Sequence, residues 1–440
     1  HNDHFQASDA FHLEKQVLDW LFLSGGYYFS KLEGEYGFSN ETISPPGLFG
    51  GNDNFWFTDS IILNQDTHIL NANTQLGPWD GLTIYGGAQS EWMSQRGFGS
   101  VRLDEGIPGA IIPEPARVDS DLDRAVIEEH LEIRYTKIPF TVLFAEGRLA
   151  QESIGQYEDE IGGDHEFLRD TDAASHLADG RLGFTLSPWT RMSLTTQYKH
   201  RYKSSFYDHL RDEQFGVKNE GYSAFITDRE TETDELSLKL TLRPASWLKT
   251  TLTYQKIATD YTTGTDSYII PELVIPGLPP FPEQIIAPGG RIFSGNYDAN
   301  IYGINATFSP WHRLSVSSAF SYRESRTSTA YTGADAVVYY AGNVYSSISS
   351  ATFIINQKTD LMGGYTYSSA DYGQQNFVSG LPVGLVYDWH IVSAGLTRKF
   401  RDNISTTLQY RFYYYDEPRT SGGNNYAAHG ILASMTMALN

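Results

Sequence analysis

Apolar and polar residues alternate along most of this chain with a period of two, in segments separated by turns. Over 191–202, Met192, Leu194, Thr196, Tyr198 and Tyr202 share one face, and Arg191, Ser193, Thr195, Gln197, Lys199 and Arg201 share the other. That is the spacing of a β-strand with one apolar and one wet side. His200 breaks the apolar face near its outer end, where an interface with water tolerates it. The split recurs over 235–243, where Leu236, Leu238, Leu240 and Leu242 oppose Glu235, Ser237, Lys239, Thr241 and Arg243. It recurs over 248–255, 314–323 and 405–412, and a last strand is predicted at about 425–440.

Between the strands a corner repeats. Its clearest copies are Leu76-Gly77-Pro78-Trp79, Leu186-Ser187-Pro188-Trp189, Phe308-Ser309-Pro310-Trp311 and the longer Leu242-Arg243-Pro244-Ala245-Ser246-Trp247. Five of the eight Trp (Trp20, Trp79, Trp189, Trp247 and Trp311) therefore stand at one end of a strand. A soluble sandwich gives no cause for that clustering, whereas a transmembrane barrel places Trp and Tyr in girdles where the bilayer meets water.

Connections near 17, 78, 138, 188, 245, 311, 358 and 402 are short, and the alternate ones near 40–58, 100–120, 158–172, 208–228 and 268–291 are long. Tight periplasmic turns and long extracellular loops are the asymmetry of outer-membrane barrels. The pattern predicts an all-β, transmembrane, antiparallel up-and-down β-barrel, with residues 1–440 as a single domain. Eight hairpins and the last strand give about 17 strands, and even counts are usual in bacterial single-chain barrels. The expected number is therefore 16 to 18 or more. Residues 4–14 read as a further inward strand, which favours the larger count and an upstream segment before His1.

Hydropathy shows no run of about 18 apolar residues, which excludes a helical membrane protein but not a barrel, where only alternate residues face lipid. There is no cysteine, so disulfides, thiolate metal sites and covalent haem attachment by this chain are excluded. A formal charge of −21 repels nucleic acid. No signal peptide is visible at His1, although an exported protein is synthesised with one.

Alternation, aromatic girdles and loop asymmetry resemble Gram-negative outer-membrane β-barrel proteins across almost the whole chain. The resemblance implies location in the outer membrane and contact with its lipid, not a cargo. The terminal Ala438-Leu439-Asn440 departs from the family's common terminal aromatic. A weaker resemblance, carried by Tyr410-Arg411-Phe412-Tyr413-Tyr414-Tyr415 and by Pro-containing loops, is to MtrB/PioB-type barrels that sheathe multihaem cytochromes. It implies haem held only by a periplasmic or extracellular partner. Those barrels often carry an N-terminal CxxC, which this chain lacks.

The wet faces place Glu132, Arg134, Glu146, Arg148, Arg191, Lys199, Arg201, Lys239, Lys249, Arg323 and Arg411 along a lumen. Opposed acids and bases there would select solutes by charge and size. A lumen of 16 to 18 strands is too wide for side chains to fill, so a water-filled passage for small hydrophilic solutes or ions is expected, with a cytochrome sheath as the alternative.

The acidic run Tyr157 to Asp172 offers Glu158, Asp159, Glu160 and Asp164 as a weak Ca²⁺ candidate. Asp119, Asp121 and Asp123 open like an EF-hand, but Arg124 and His130 replace the glycine and glutamate that motif needs. The apolar stretches 107–113 and 275–282 would constrict the lumen, dock a partner or pack on each other. Twelve His are scattered, without GxSxG or HExxH, so no catalytic residue is assigned and the protein is expected not to be an enzyme.

Overall fold

The computed structural model describes residues 2–42, 54–107, 110–162, 167–214, 217–218, 226–265, 268–270, 285–287, 290–330, 340–373, 384–401, 403–418 and 422–437. Among them every regular element of more than one turn is a strand. In chain order these are β1 (Asn2–Leu18), β2 (Leu21–Thr42), β3 (Asn54–Trp79), β4 (Leu82–Ile107), β5 (Ala110–Tyr135), β6 (Thr141–Ile161) and β7 (Phe167–Trp189). They continue with β8 (Met192–Gln214), β9 (Val217–Lys218), β10 (Ile226–Ala245), β11 (Leu248–Thr265), β12 (Tyr268–Ile270), β13 (Ile285–Ala287) and β14 (Gly290–Trp311). The last are β15 (Leu314–Ala330), β16 (Tyr340–Asn356), β17 (Thr359–Gly373), β18 (Gly384–Arg401), β19 (Ile404–Asp416) and β20 (Tyr426–Met437).

Setting aside the short β9, β12 and β13, seventeen strands pair antiparallel with their chain neighbours, from β1–β2 through to β19–β20. This is the up-and-down topology of the sequence reading, with residues 4–14 inside β1. Among the described residues no helix is long and apolar enough to cross a membrane.

The Pro-containing corners of four periplasmic hairpins share a repeated bond. Proline has no N–H, so the ladder stops there, and the register shifts by a bulge between Leu76 and Trp79, Leu186 and Trp189, and Phe308 and Trp311. The residue before each proline turns its N–H to the preceding hairpin instead. Gly77 donates to Trp20 O at 2.8 Å, Ser187 to Phe140 O at 2.7 Å, Arg243 to Arg191 O at 2.7 Å and Ser309 to Trp247 O at 2.8 Å. Trp20 and Trp79 lie 5.7 Å apart between ring centroids, and Trp247 meets Phe308 edge-on at 5.4 Å.

A second aromatic row marks the opposite interface. Tyr254, Tyr302, Tyr322 and Tyr345 stand directly opposite one another across β11, β14, β15 and β16, with centroids 5.1, 6.1 and 4.9 Å apart. Trp311 and Tyr302 are nine residues apart on β14, about 30 Å of strand, which a tilt of 35–45° projects to about 23 Å. That matches the apolar band of an outer-membrane barrel.

Tyrosine hydroxyls on this face are capped from the next strand, two positions further out, at six places around the sheet. Tyr27 meets His68 Nδ1 at 2.7 Å, Tyr365 meets His390 Nδ1 at 3.0 Å and Tyr410 meets His429 Nδ1 at 2.7 Å. Tyr254 donates to Asn300 at 3.0 Å, Tyr322 to Asn343 at 2.9 Å, and Tyr198 to Asp234. His200, the break in the apolar face, also bonds Asp234, at 2.9 Å. The rings stay in the band while the hydroxyls reach polar groups at its edge. Tyr322→Phe keeps the stacking and removes one hydroxyl, so a loss of about 0.5–1.5 kcal/mol is expected in reversible urea unfolding from lipid vesicles. A change below about 0.3 kcal/mol would mean water serves Asn343 equally well.

The strands run well past the bilayer. β3, β4 and β5 have 26 residues each, whereas a barrel strand needs about 9–11 to cross. The stretches 100–120 and 158–172, expected as loops, are thus carried largely as strand. Beyond the membrane both faces are wet, and the apolar alternation that reveals a strand disappears.

Candidate functional site: the polar wall of the barrel

One face of the sheet carries the apolar band, and the other carries a lattice of ion pairs across β4–β8. Register puts the partners side by side: Glu146 stands opposite Arg181, and Asp179 opposite both Arg148 and Arg201. Arg124 reaches Glu91 at 2.7 Å and Glu152 at 2.6 Å, and Arg148 reaches Glu128 at 2.5 Å. Arg181 pairs with Glu146. Asp179 receives Lys199 at 3.1 Å and Arg201 at 2.8 Å. His130, Glu132, Glu146, Arg148, Asp179, Arg181, Gln197, Lys199, Arg201 and Glu235 line a cavity of about 500 Å³ against this wall.

The rest of the wall is made largely of hydroxyls. Threonines meet directly across strands, Thr185 with Thr195 at 3.0 Å, Thr233 with Thr259 at 3.0 Å and Thr397 with Thr407 at 2.9 Å. Arg323 stacks on Tyr297 with its guanidinium carbon 5.4 Å from the centroid, and Arg411 donates to Gln409 at 3.1 Å. Charge is therefore concentrated in one sector of the sheet.

Glu132, Glu146, Arg148, Lys199 and Arg201 stand together in the lattice. Glu132 faces Glu146 directly, a repulsive pair that Arg181 relieves through Glu146. Arg134, Arg191, Lys239 and Lys249 lie nearer the periplasmic turns on the same face. The sequence reading missed Glu91, Arg124, Glu128, Glu152, Asp179 and Arg181. Strict alternation from Lys199 and Arg201 across the β7–β8 hairpin would have reached Asp179 and Arg181. The signal was weak because their lipid-side neighbours are Ala178 and Gly180.

Glu152 stands above Leu149, where the unbroken apolar run on the lipid face of β6 gives way to Gln151 and Ser153, and so outside the membrane-spanning part. Burial alone would raise its carboxyl, but hydrogen bonds from Arg124 and Ser175 outweigh that and hold it below its ordinary value.

The weak Ca²⁺ candidates are placed differently from a loop. Glu158, Asp159 and Glu160 are consecutive on β6, so they point alternately to opposite faces, and Glu158 lies 3.9 Å from Arg169. Asp164 is outside the described residues. Asp119 and Asp121 lie on β5, paired with Arg117 at 2.9 Å and Arg96 at 3.4 Å. Of the two apolar stretches, 275–282 is outside the described residues, as are 108 and 109, while Ile107 and 110–113 pair at the end of β4 and the start of β5.

No protein-family model matches the sequence, and no curated protein matches it. Solved structures do share its fold. The RagAB peptide transporter superposes with a TM-score of 0.54 at 10% identity, over 93% of this chain and 58% of that one. The siderophore receptor PiuA from Acinetobacter baumannii gives 0.42 at 9% identity, over 98% and 80%. The ferric preacinetobactin receptor BauA from the same organism gives 0.40 at 10% identity, over 99% and 79%. The chain thus has the fold of the Gram-negative outer-membrane β-barrels, and its exposed apolar band between two aromatic rows is the surface that membrane requires.

Proposed function

We propose that this protein forms a water-filled passage across the outer membrane for small hydrophilic solutes or ions, moving by passive diffusion. The observation that supports it most is the ion-paired wall on the face turned away from lipid. Residues that face a packed core are apolar, whereas here one face carries Arg124, Arg148, Arg181, Lys199 and Arg201 with their carboxylates. A closed barrel of seventeen strands would enclose more space than such side chains fill. The lattice would set a transverse field that sorts solutes by charge. No covalent chemistry is assigned to any residue.

The test is single-channel recording on purified protein in planar bilayers, with an absorption spectrum of the same preparation taken gently from native membranes. A colourless preparation giving stable, nearly ohmic steps is expected. A Soret band accompanied by a stoichiometric multihaem chain would replace the open passage with a sheath. A colourless preparation that never conducts would reject both.

A further inference from the structure

The periplasmic end of this wall is built on a different rule from the lattice above it. Arg191, Arg243 and Lys249, with Ser187, Ser193 and Thr241, line a hollow of about 560 Å³ at the turns joining β7 to β8 and β10 to β11, together with the apolar Phe140, Pro188, Trp189 and Met192. Ser193, Thr241 and Lys249 alternate in step with Gln197 and Lys199, so the polar side of the hollow belongs to the lumen face, while Trp189 and Met192 bring it to the edge of the apolar band. Lys239 follows two residues inward from Thr241 on the same face.

Each cation of the lattice above has a carboxylate partner, whereas none of these four has one among the described residues. In a chain with 53 acidic and 32 basic residues, three cations lining one hollow without an acid in its lining are a marked local reversal of charge. Their mutual repulsion is relieved when an anion sits between them.

The donors fit such a guest. Arg191 is tied to Pro244 O by a single contact at 3.4 Å, which leaves most of its guanidinium fork free, and Arg243 presents a second fork. Planar forks bind phosphate and carboxylate through paired hydrogen bonds. The hydroxyls of Ser187 and Ser193, 3.1 Å apart, add neutral donors at the rim.

We propose that this hollow is an oxyanion site, which holds the phosphate or carboxylate group of a solute at the periplasmic mouth. The proposal deepens the passage reading and rests on its assignment of this face to the lumen. It makes anionic solutes the class the passage retains. Acidic segments dominate the far end of the barrel, so an anion that has crossed gains a favourable site on arrival.

Inorganic phosphate and pyrophosphate, titrated calorimetrically into the purified barrel in phosphatidylcholine nanodiscs, test the site without reference to current. Saturable binding that weakens as salt rises is expected, with pyrophosphate tighter. It should fall at least tenfold in the triple variant Arg191→Gln, Arg243→Gln, Lys249→Gln. Lys31→Gln, at an exposed pair with Glu33 on the other face, should leave it unchanged. Arg243→Lys, which keeps the charge, should retain binding within about threefold and guards against misfolding of the triple variant.

Undiminished binding in the triple variant, or no saturable binding in the native protein, would overturn the proposal. So would loss of phosphate binding when phosphatidylglycerol replaces part of the phosphatidylcholine, because the cations would then belong to lipid headgroups. A barrel that binds phosphate but does not conduct would keep the site and reject the passage, and one that conducts without binding would do the reverse.

Discussion

Replacing Leu252 with arginine is expected to destabilise the folded barrel by about 1–3 kcal/mol, between the cost at the bilayer midplane and that at its interface. Leu252 lies five residues from the Trp corner and two short of the Tyr row on β11, within one apolar rung across five strands. Register places Leu194, Leu240, Leu252, Ile304 and Phe320 directly opposite one another on β8, β10, β11, β14 and β15. Leu252 is 40% exposed, an exposure that in a barrel of this fold is contact with lipid.

From this position an arginine reaches the nearer interface, at Tyr254, only by laying its side chain along the strand and giving up lipid contact there. Gln255→Arg, three residues further along β11 and on the wet face, is the matched control. It should change stability by less than about 0.5 kcal/mol. Urea titration of the refolded protein in lipid vesicles measures both. Equal effects at the two positions would show that the faces have been assigned the wrong way round.

The same rung shows why this fold could be read from the chain. Leu236, Leu238, Leu240 and Leu242 are spaced by two because alternate residues of β10 meet lipid, so the membrane writes its own width into the sequence as a short alternating run. The corners were legible for a related reason. Proline ends the ladder and tryptophan prefers the interface, and both constraints act on single residues.

What lay beyond reach was set by pairs. Arg124 and Glu152 are 28 positions apart and meet only because β5 and β6 run side by side in a particular register. Alternation gives a residue's face but not its neighbour, so the wall was foreseen as polar and its bonding was not. The extended ends of β3, β4 and β5 were missed because water bathes both of their faces. Tyr198, Tyr254 and Tyr322 were seen as members of apolar faces, but their caps at Asp234, Asn300 and Asn343 come from adjoining strands.

Arg124 is the place where such a pairing is open to measurement. Its guanidinium serves two carboxylates at once, and its side chain is 32% exposed while those of Glu91 and Glu152 are 23% and 27% exposed. Substituting Arg124→Met keeps the length of the side chain and leaves two half-buried carboxylates facing each other across it. Fully exposed pairs contribute about 0.2–1 kcal/mol, and breaking a fully buried one costs about 3–5 kcal/mol. An intermediate loss of about 1–2 kcal/mol at neutral pH is expected for this geometry.

The loss should also depend on pH, with a sign fixed by Glu152. Its carboxyl is held below its ordinary value of 4.5 in the folded protein. The stability this lends is fully present above that value and disappears as the pH falls through the lowered folded value. Native and Arg124→Met proteins should therefore differ most at pH 7 and converge in acid, because the carboxylates that need the arginine become neutral. Adding Glu152→Gln to Arg124→Met should restore part of the loss at pH 7, since Ser175 at 3.0 Å still offers the amide a partner. A gap between native and variant that stays constant from pH 7 to pH 4 would mean that Arg124 acts through packing alone, and that the ionic lattice is solvated too well to hold the wall together.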